Sequence, residues 1–204
     1  MINRAITICL FFFLFPQLHA FEKLKDTYLV AFGKPEAPIH IVEYFSLNCP
    51  KCLTFVKGDF LQFKQKYIDT DQVYWVFHPD PSDLLTLQLI VCLEKLTYEE
   101  KVLFFTTTVG FIDKKKDVKV GAFVLQTAMD FLQKPMPLLE QLDFLEETEA
   151  FQQAYRFLKQ PDLFTLIPSV EINGTLHDEF PSLKFLEKQV QSLMKQKGVS
   201  NEKI

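Results

Sequence analysis

The sequence predicts an α/β domain made of a βαβ unit, a helical insertion, and a β-hairpin followed by a closing helix. Three observations carry that expectation. A β-branched and aromatic run, Ile39-His40-Ile41-Val42-Glu43-Tyr44-Phe45, precedes a stretch with Leu53, Val56, Phe60 and Phe63 at helical spacing, and Gln72-Val73-Tyr74-Trp75-Val76-Phe77-His78 follows as a second strand. From Pro81 to about residue 160 apolar residues recur at helical spacing with no turn-bounded strand signal. Then Leu166-Ile167-Pro168-Ser169-Val170-Glu171-Ile172 runs into Asn173-Gly174, a two-residue hairpin turn signal.

The elements follow in order. A strand, a helix and a second strand joined by a crossover of this length imply a parallel pair with a right-handed connection, and Asp69-Thr70-Asp71 marks the turn into the second strand. In the insertion, placed at about residues 82–160, Leu84, Leu85, Leu89 and Cys92 lie on one helical face, and Thr97-Tyr98-Glu99-Glu100 has the form of a capping box. Further amphipathic stretches run from about Val120 to Leu132 and from Thr148 to Lys159, with a helix starting at Met136-Pro137-Leu138 between them. The charge run Asp113-Lys114-Lys115-Lys116-Asp117 reads as a solvated loop. After the hairpin, Leu183, Leu186, Val190 and Leu193 repeat as an amphipathic helix within residues 181–197.

Composition fits one well-filled domain: 204 residues, 48% hydrophobic, 24% charged, with 22 Phe and only 6 Gly. A net charge of −4 without a basic stripe excludes the electrostatic footprint of a nucleic-acid binder. At the N-terminus Arg4 precedes an apolar run from Ala5 to Phe15, Pro16 breaks it, and Leu18-His19-Ala20 follows, which is the layout of a signal peptide over residues 1–20 cleaved after Ala20. The run falls short of the ~20 apolar residues that a bilayer-spanning helix needs. An uncleaved anchor is the lesser alternative. The expected location is therefore the periplasm or an equivalent exported, oxidising compartment, with a domain over residues 21–204.

Export gives the cysteines their meaning. Cys49-Pro50-Lys51-Cys52 sits where the first strand turns into the helix, so the free N–H groups of the helix start and its dipole favour a thiolate. Such a pair suits disulfide exchange; the same spacing also occurs in a short structural disulfide or as half of a zinc site. A zinc site wants a second ligand pair at matching spacing, which the chain lacks, and His40, His78 and His177 stand alone. No metal or other cofactor is expected. Cys92, beside Leu85, Leu89 and Leu96 on an apolar face, reads as a small buried hydrophobe. Glu43 is an acid inside an otherwise apolar strand, and acids are rarely buried without a reason.

With those residues in place the chain resembles the DsbA-like branch of the thioredoxin superfamily, exported bacterial thiol:disulfide oxidoreductases. The resemblance rests on Val42-Glu43-Tyr44-Phe45-Ser46 followed by Cys49-Pro50-x-Cys52, on the helical insertion, and on Ile167-Pro168 before a strand that ends in Asn173-Gly174. It departs at Lys51, where the best-known members carry histidine. What it implies is a thioredoxin-like fold with a helical insertion between the βαβ unit and the hairpin, Cys49 as the exposed nucleophile, Cys52 as the resolving thiol, and Glu43 as a carboxylate beneath the helix that relays a proton. It also implies that Pro168 is cis and abuts the redox pair, with Ile167, Pro50 and Lys51 along the client-binding groove. The implied partners are reduced client proteins and a membrane-bound reoxidising protein, and the expected state is a monomer. Isomerase or reductase activity is the nearest alternative, helped in related proteins by dimerisation through an extra N-terminal domain, whereas about 18 residues separate Ala20 from Ile39 in this chain. A metal-binding thiol carrier is a more distant one.

Overall fold

The computed structural model describes residues 29–80, 85, 86, 89, 92, 93, 96–112, 118–134, 152, 155, 156 and 166–196. Strands β1 (Val30–Phe32), β2 (Ile39–Phe45) and β3 (Val73–Pro79) come from the first half of the chain, β4 (Ser169–Ile172) and β5 (Thr175–His177) from its end. Helices α1 (Pro50–Lys57) and α2 (Asp59–Phe63) link β2 to β3, α3 (Tyr98–Phe111) and α4 (Val118–Phe131) belong to the insertion, and α5 (Leu183–Gln196) closes the chain. The five strands form one sheet in the order β1-β3-β2-β4-β5. β2 pairs parallel with β3, as the crossover requires, while β4 runs antiparallel to β2 and β5 antiparallel to β4.

β2 lies in the middle of the sheet, so its alternation decides what sits beneath the C-x-x-C helix. Ile39, Ile41, Glu43 and Phe45 are each 0% exposed and share one face. Phe55, Phe60 and Phe63 of α1 and α2 pack on that face against Trp75 and Phe77 of β3, with ring centroids 4.9–5.8 Å apart. Phe105 of α3 extends the layer onto Phe32, Phe45 and Phe77. At the other end, Leu186, Val190 and Met194 of α5 are buried, and Leu183 N–H donates to Asp59 Oδ2 of α2 at 2.8 Å. Fully burying each such apolar side chain stabilises the fold by about 1.5–3 kcal/mol. Helix α1 therefore rests on a dense aromatic floor.

Several sequence expectations need correction. β1 precedes the strand that the sequence predicts as first; it pairs antiparallel with β3 at the sheet edge and ends at Gly33, whose φ of +87° and Cβ position 2.6 Å from Val73 O admit only glycine. The helix after β2 begins at Pro50, whose missing N–H costs nothing in the first turn. It also breaks at Gly58 (φ −124°, ψ −90°), and after α2 the chain makes a wide turn over Lys64–Ile68 in which Asp69 N–H reaches Lys64 O at 2.9 Å. β4 starts at Ser169 rather than Leu166.

Other expectations hold. Asn173 (φ +48°) and Gly174 (φ +83°) take the two left-handed conformations of a tight hairpin turn. Thr97 caps α3: its Oγ1 accepts from Glu100 N–H at 3.4 Å while Glu100 Oε2 accepts from Thr97 N–H at 2.8 Å. Residues 85, 86, 89, 92 and 93 are helical, with Leu85, Leu89 and Cys92 buried on the expected face. The signal segment 1–20, Leu84, the run 113–117 and the helix expected from Met136 lie outside the described residues, as does the Thr148–Lys159 stretch except for 152, 155 and 156, which are helical.

Candidate active site at the start of α1

Cys49 is the N-cap residue of α1, with extended backbone (φ −89°, ψ 109°). Its position is set by the preceding turn: Cys49 N–H donates to Ser46 O at 3.2 Å, and Ser46 Oγ accepts from Asn48 N–H at 3.0 Å. The Cys49 sulfur accepts from Cys52 N–H at 3.2 Å, so a sulfur takes the N-cap role that a Ser or Asp oxygen usually fills. Cys49 is half-buried, Pro50 and Lys51 beside it are exposed, and Cys52, one turn along, is fully buried. Cys49, Cys52 and Cys92 are all free thiols.

The two neighbouring thiols are pushed in opposite directions. Cys49 is lowered from 9.0 to about 6: the Cys52 thiol donates to its sulfur, burial opposes, and the Cys52 and Lys51 N–H groups and the Lys51 charge add to the lowering. Cys52 is raised far above a free thiol, first by burial and then because its own proton is engaged by Cys49; the Ser46 backbone opposes, while the charges of Cys49 and Glu43 push it further up. One thiol is thus a thiolate at neutral pH. The other holds its proton.

Glu43 lies beneath both, at the centre of the sheet. It is flanked by Phe77 of β3 and Val170 of β4 in the register and is 0% exposed. Neither carboxyl oxygen has a hydrogen-bond partner. Burial, and next the Cys49 charge, hold its pKa well above the ordinary carboxylate range, which favours the neutral acid. The sequence marks this acid as anomalous. It gives no hint of Trp75, whose buried indole N–H on the same face is also without an acceptor.

The third wall comes from the far end of the chain. The Ile167–Pro168 peptide is cis, Pro168 is buried, and Ile167 O lies 3.6 Å from Cys49 Sγ, which donates toward it only in the protonated thiol form. The antiparallel β2–β4 register brings this loop to Cys49, because Tyr44 pairs with Ser169 and the residues beyond each converge. Cys49, Cys52, Glu43, Ile167 and Pro168 therefore meet in one place, with Pro50 and Lys51 on its outer rim. Cys92 does not join them: it is 0% exposed, and burial pushes its thiol up to about 12. His40 packs on Tyr74, His78 on Tyr44 and His177 on Phe185. Among the described residues no group of three or more His, Cys, Asp and Glu side chains is placed to hold a metal ion.

A family model described as Thioredoxin matches residues 25–192. The chain belongs to the thioredoxin family. Its fold is that of the DsbA proteins: a crystal structure of Wolbachia pipientis alpha-DsbA1 superposes with a TM-score of 0.69 at 20% identity, covering 84% of this chain and 93% of that one. Oxidised BdbD from Bacillus subtilis superposes with a TM-score of 0.65 at 18% identity, covering 84% of this chain and 95% of that one. In sequence, 64 residues are 36% identical to a Rickettsia bellii protein provisionally named a protein-disulfide oxidoreductase, and they span 30% of this chain and 24% of that relative.

Proposed function

We propose that this thioredoxin-family chain is an exported, monomeric thiol:disulfide oxidoreductase that passes a Cys49–Cys52 disulfide to reduced client proteins. The observation that carries the reading is the split between the two thiols, with Cys49 at about 6 and half-buried while Cys52 is buried and strongly raised. In the first step a client thiolate attacks Cys49 Sγ of the disulfide. The Cys49–Cys52 bond breaks, its electron pair leaves on Cys52, and Cys52 takes a proton, which Glu43 in its neutral form supplies in this reading. A second client thiolate then attacks the client sulfur of the mixed disulfide and expels Cys49. Two client thiols become one disulfide, and two electrons remain on the dithiol pair. Expulsion is favoured because a thiol of low pKa is a good leaving group. The same stability of the Cys49 thiolate makes the reduced state favourable and the disulfide oxidising.

The cis Ile167–Pro168 segment beside Cys49 is where a client backbone lies in this reading, with Pro50 and Lys51 at its edge. A membrane-bound partner then reoxidises the pair, and the leader at residues 1–20 directs the chain to the periplasm. Equilibration in glutathione buffers tests the reading. An oxidase requires a reduction potential well above the roughly −270 mV of thioredoxin. A value at or below it indicates a reductase, and stoichiometric metal uptake without exchange indicates a thiol carrier.

A further inference from the structure

Beneath α1 the buried groups leave a donor and an acceptor without partners on the same face of adjacent strands. The acceptor is Glu43: both its carboxyl oxygens are buried and unpaired. The donor is Trp75 Nε1–H, also buried and unpaired. In the parallel β2–β3 register Trp75 stands opposite Ile41 and Phe77 opposite Glu43, so Trp75 is the diagonal neighbour of Glu43 on the α1 side of the sheet. Large aromatic side chains reach across such diagonals. Phe55 stacks on the indole at 5.8 Å and 27°, while Phe60, Phe63 and Phe77 tilt against it, so four rings hold the plane of the ring and the direction of its N–H.

Buried polar groups without partners are rare, and an indole N–H and a carboxyl complement each other. Of the other described side-chain atoms in this condition, Ser169 Oγ alternates to the opposite face of β4, and Thr108 Oγ1, on α3, is a hydroxyl that does not require the indole N–H. We propose that Trp75 is a positioning residue for Glu43: when the carboxyl gives up its proton, the carboxylate turns to accept from Trp75 Nε1–H, which fixes the ionised form under Cys52 ready to take the proton back. This rests on the role of Glu43 as proton donor to Cys52. The indole is close enough to oppose the effect of burial on Glu43, as a donor to the charged form must, although no hydrogen bond of normal geometry joins the two. Cys49 and Cys52 of α1 are the charged groups that act on Glu43, while Phe77 and Val170, its partners in the β3 and β4 registers, and Phe105 of α3, which packs on Phe45 and Phe77, do not titrate.

The chain has a single tryptophan, so its indole N–H gives one resonance and one emission spectrum. The test is a pH titration of that resonance in the full chain with both thiols removed (Cys49→Ser with Cys52→Ala), which takes away the two titrating groups that act on Glu43. The expected result is one downfield transition with a midpoint well above the ordinary carboxyl range, absent in Glu43→Gln. A resonance that does not move with pH, or moves equally in Glu43→Gln, overturns the proposal. In the wild-type thiol background Trp75→Phe, which keeps an aromatic ring but removes the N–H, should shift the Glu43-dependent limb of the exchange profile upward by about 1–2 pH units, the worth of one charged hydrogen bond. An unmoved profile also overturns it. If the resonance titrates as expected but Glu43→Gln exchanges at the wild-type rate at every pH, the Trp75–Glu43 contact stands and the proton role of Glu43 fails.

Discussion

The exposed start of α1 and its buried underside are separated by one helical turn, yet they impose opposite chemistry on the same residue type. At the start, Cys49 receives donors from Cys52 and from backbone N–H groups and sits beside the Lys51 charge, and its pKa falls to about 6. On the underside, Cys52 meets an aromatic floor and the Glu43 acid, and its pKa rises. Cys92 extends the comparison: burial alone, with no charged neighbour among the causes, takes it to about 12. Donors and charges at a helix terminus outweigh partial burial at Cys49, while full burial wins where those donors are missing. In the proposed mechanism that difference makes Cys49 the entry thiol and Cys52 the resolving thiol.

The largest expected effects come from removing either side of that contrast. Cys49→Ser should reduce client oxidation to background and leave no covalent client adducts. Cys52→Ser should instead accumulate disulfide-linked adducts through Cys49 if the protein is first activated as a mixed disulfide, since no Cys52 thiol remains to attack Cys49 and release the client. Non-reducing gels distinguish the two, and equal adduct levels would erase the assigned roles.

A smaller effect is expected from Glu43→Leu, with opposite signs on stability and activity. A buried carboxyl whose folded pKa lies above its unfolded value of 4.5 favours the fold only while protonated in both states, so wild-type stability is lost as pH rises above 4.5. Leucine removes that loss and the two unpaired oxygens, so the variant should be more stable at neutral pH by about 1–3 kcal/mol. Its thiol exchange should slow. Denaturant unfolding at pH 4 and pH 7 measures the first, and a stability gain that is the same at both pH values would contradict the burial argument.

How much of this was legible in sequence depends on range. Cys49 and Cys52 could be placed because the helix start is local, set within a few residues of Ser46. Glu43 stood out because it interrupts an apolar strand, and the hairpin because Asn173-Gly174 has few other uses. β1 escaped notice because three residues, Val30-Ala31-Phe32, carry no period, and its pairing partner lies 43 or more positions away in β3. The break at Gly58 was hidden because Leu53, Val56, Phe60 and Phe63 all remain buried on either side of it. Trp75 looked like any core aromatic. Its polar edge matters only once the β2–β3 register sets it diagonal to Glu43.

The smallest expected effect belongs to Lys51, the last of the causes that lower Cys49. It is exposed, and an exposed charge is screened by solvent, so Lys51→Glu should raise the Cys49 pKa by on the order of half a unit. A rise of two units or more would mean that the lysine charge, rather than the hydrogen bonds at the helix start, creates the reactive thiol.

The central claim is the acidity of Cys49 itself. Alkylation rate of the reduced protein against pH, with the labelled cysteine identified by peptide mapping, measures it directly. The expected result is modification confined to Cys49 with a midpoint at about 6, while Cys52 and Cys92 stay unlabelled at neutral pH. A Cys49 midpoint near 9.0, the value of an unperturbed thiol, would contradict it.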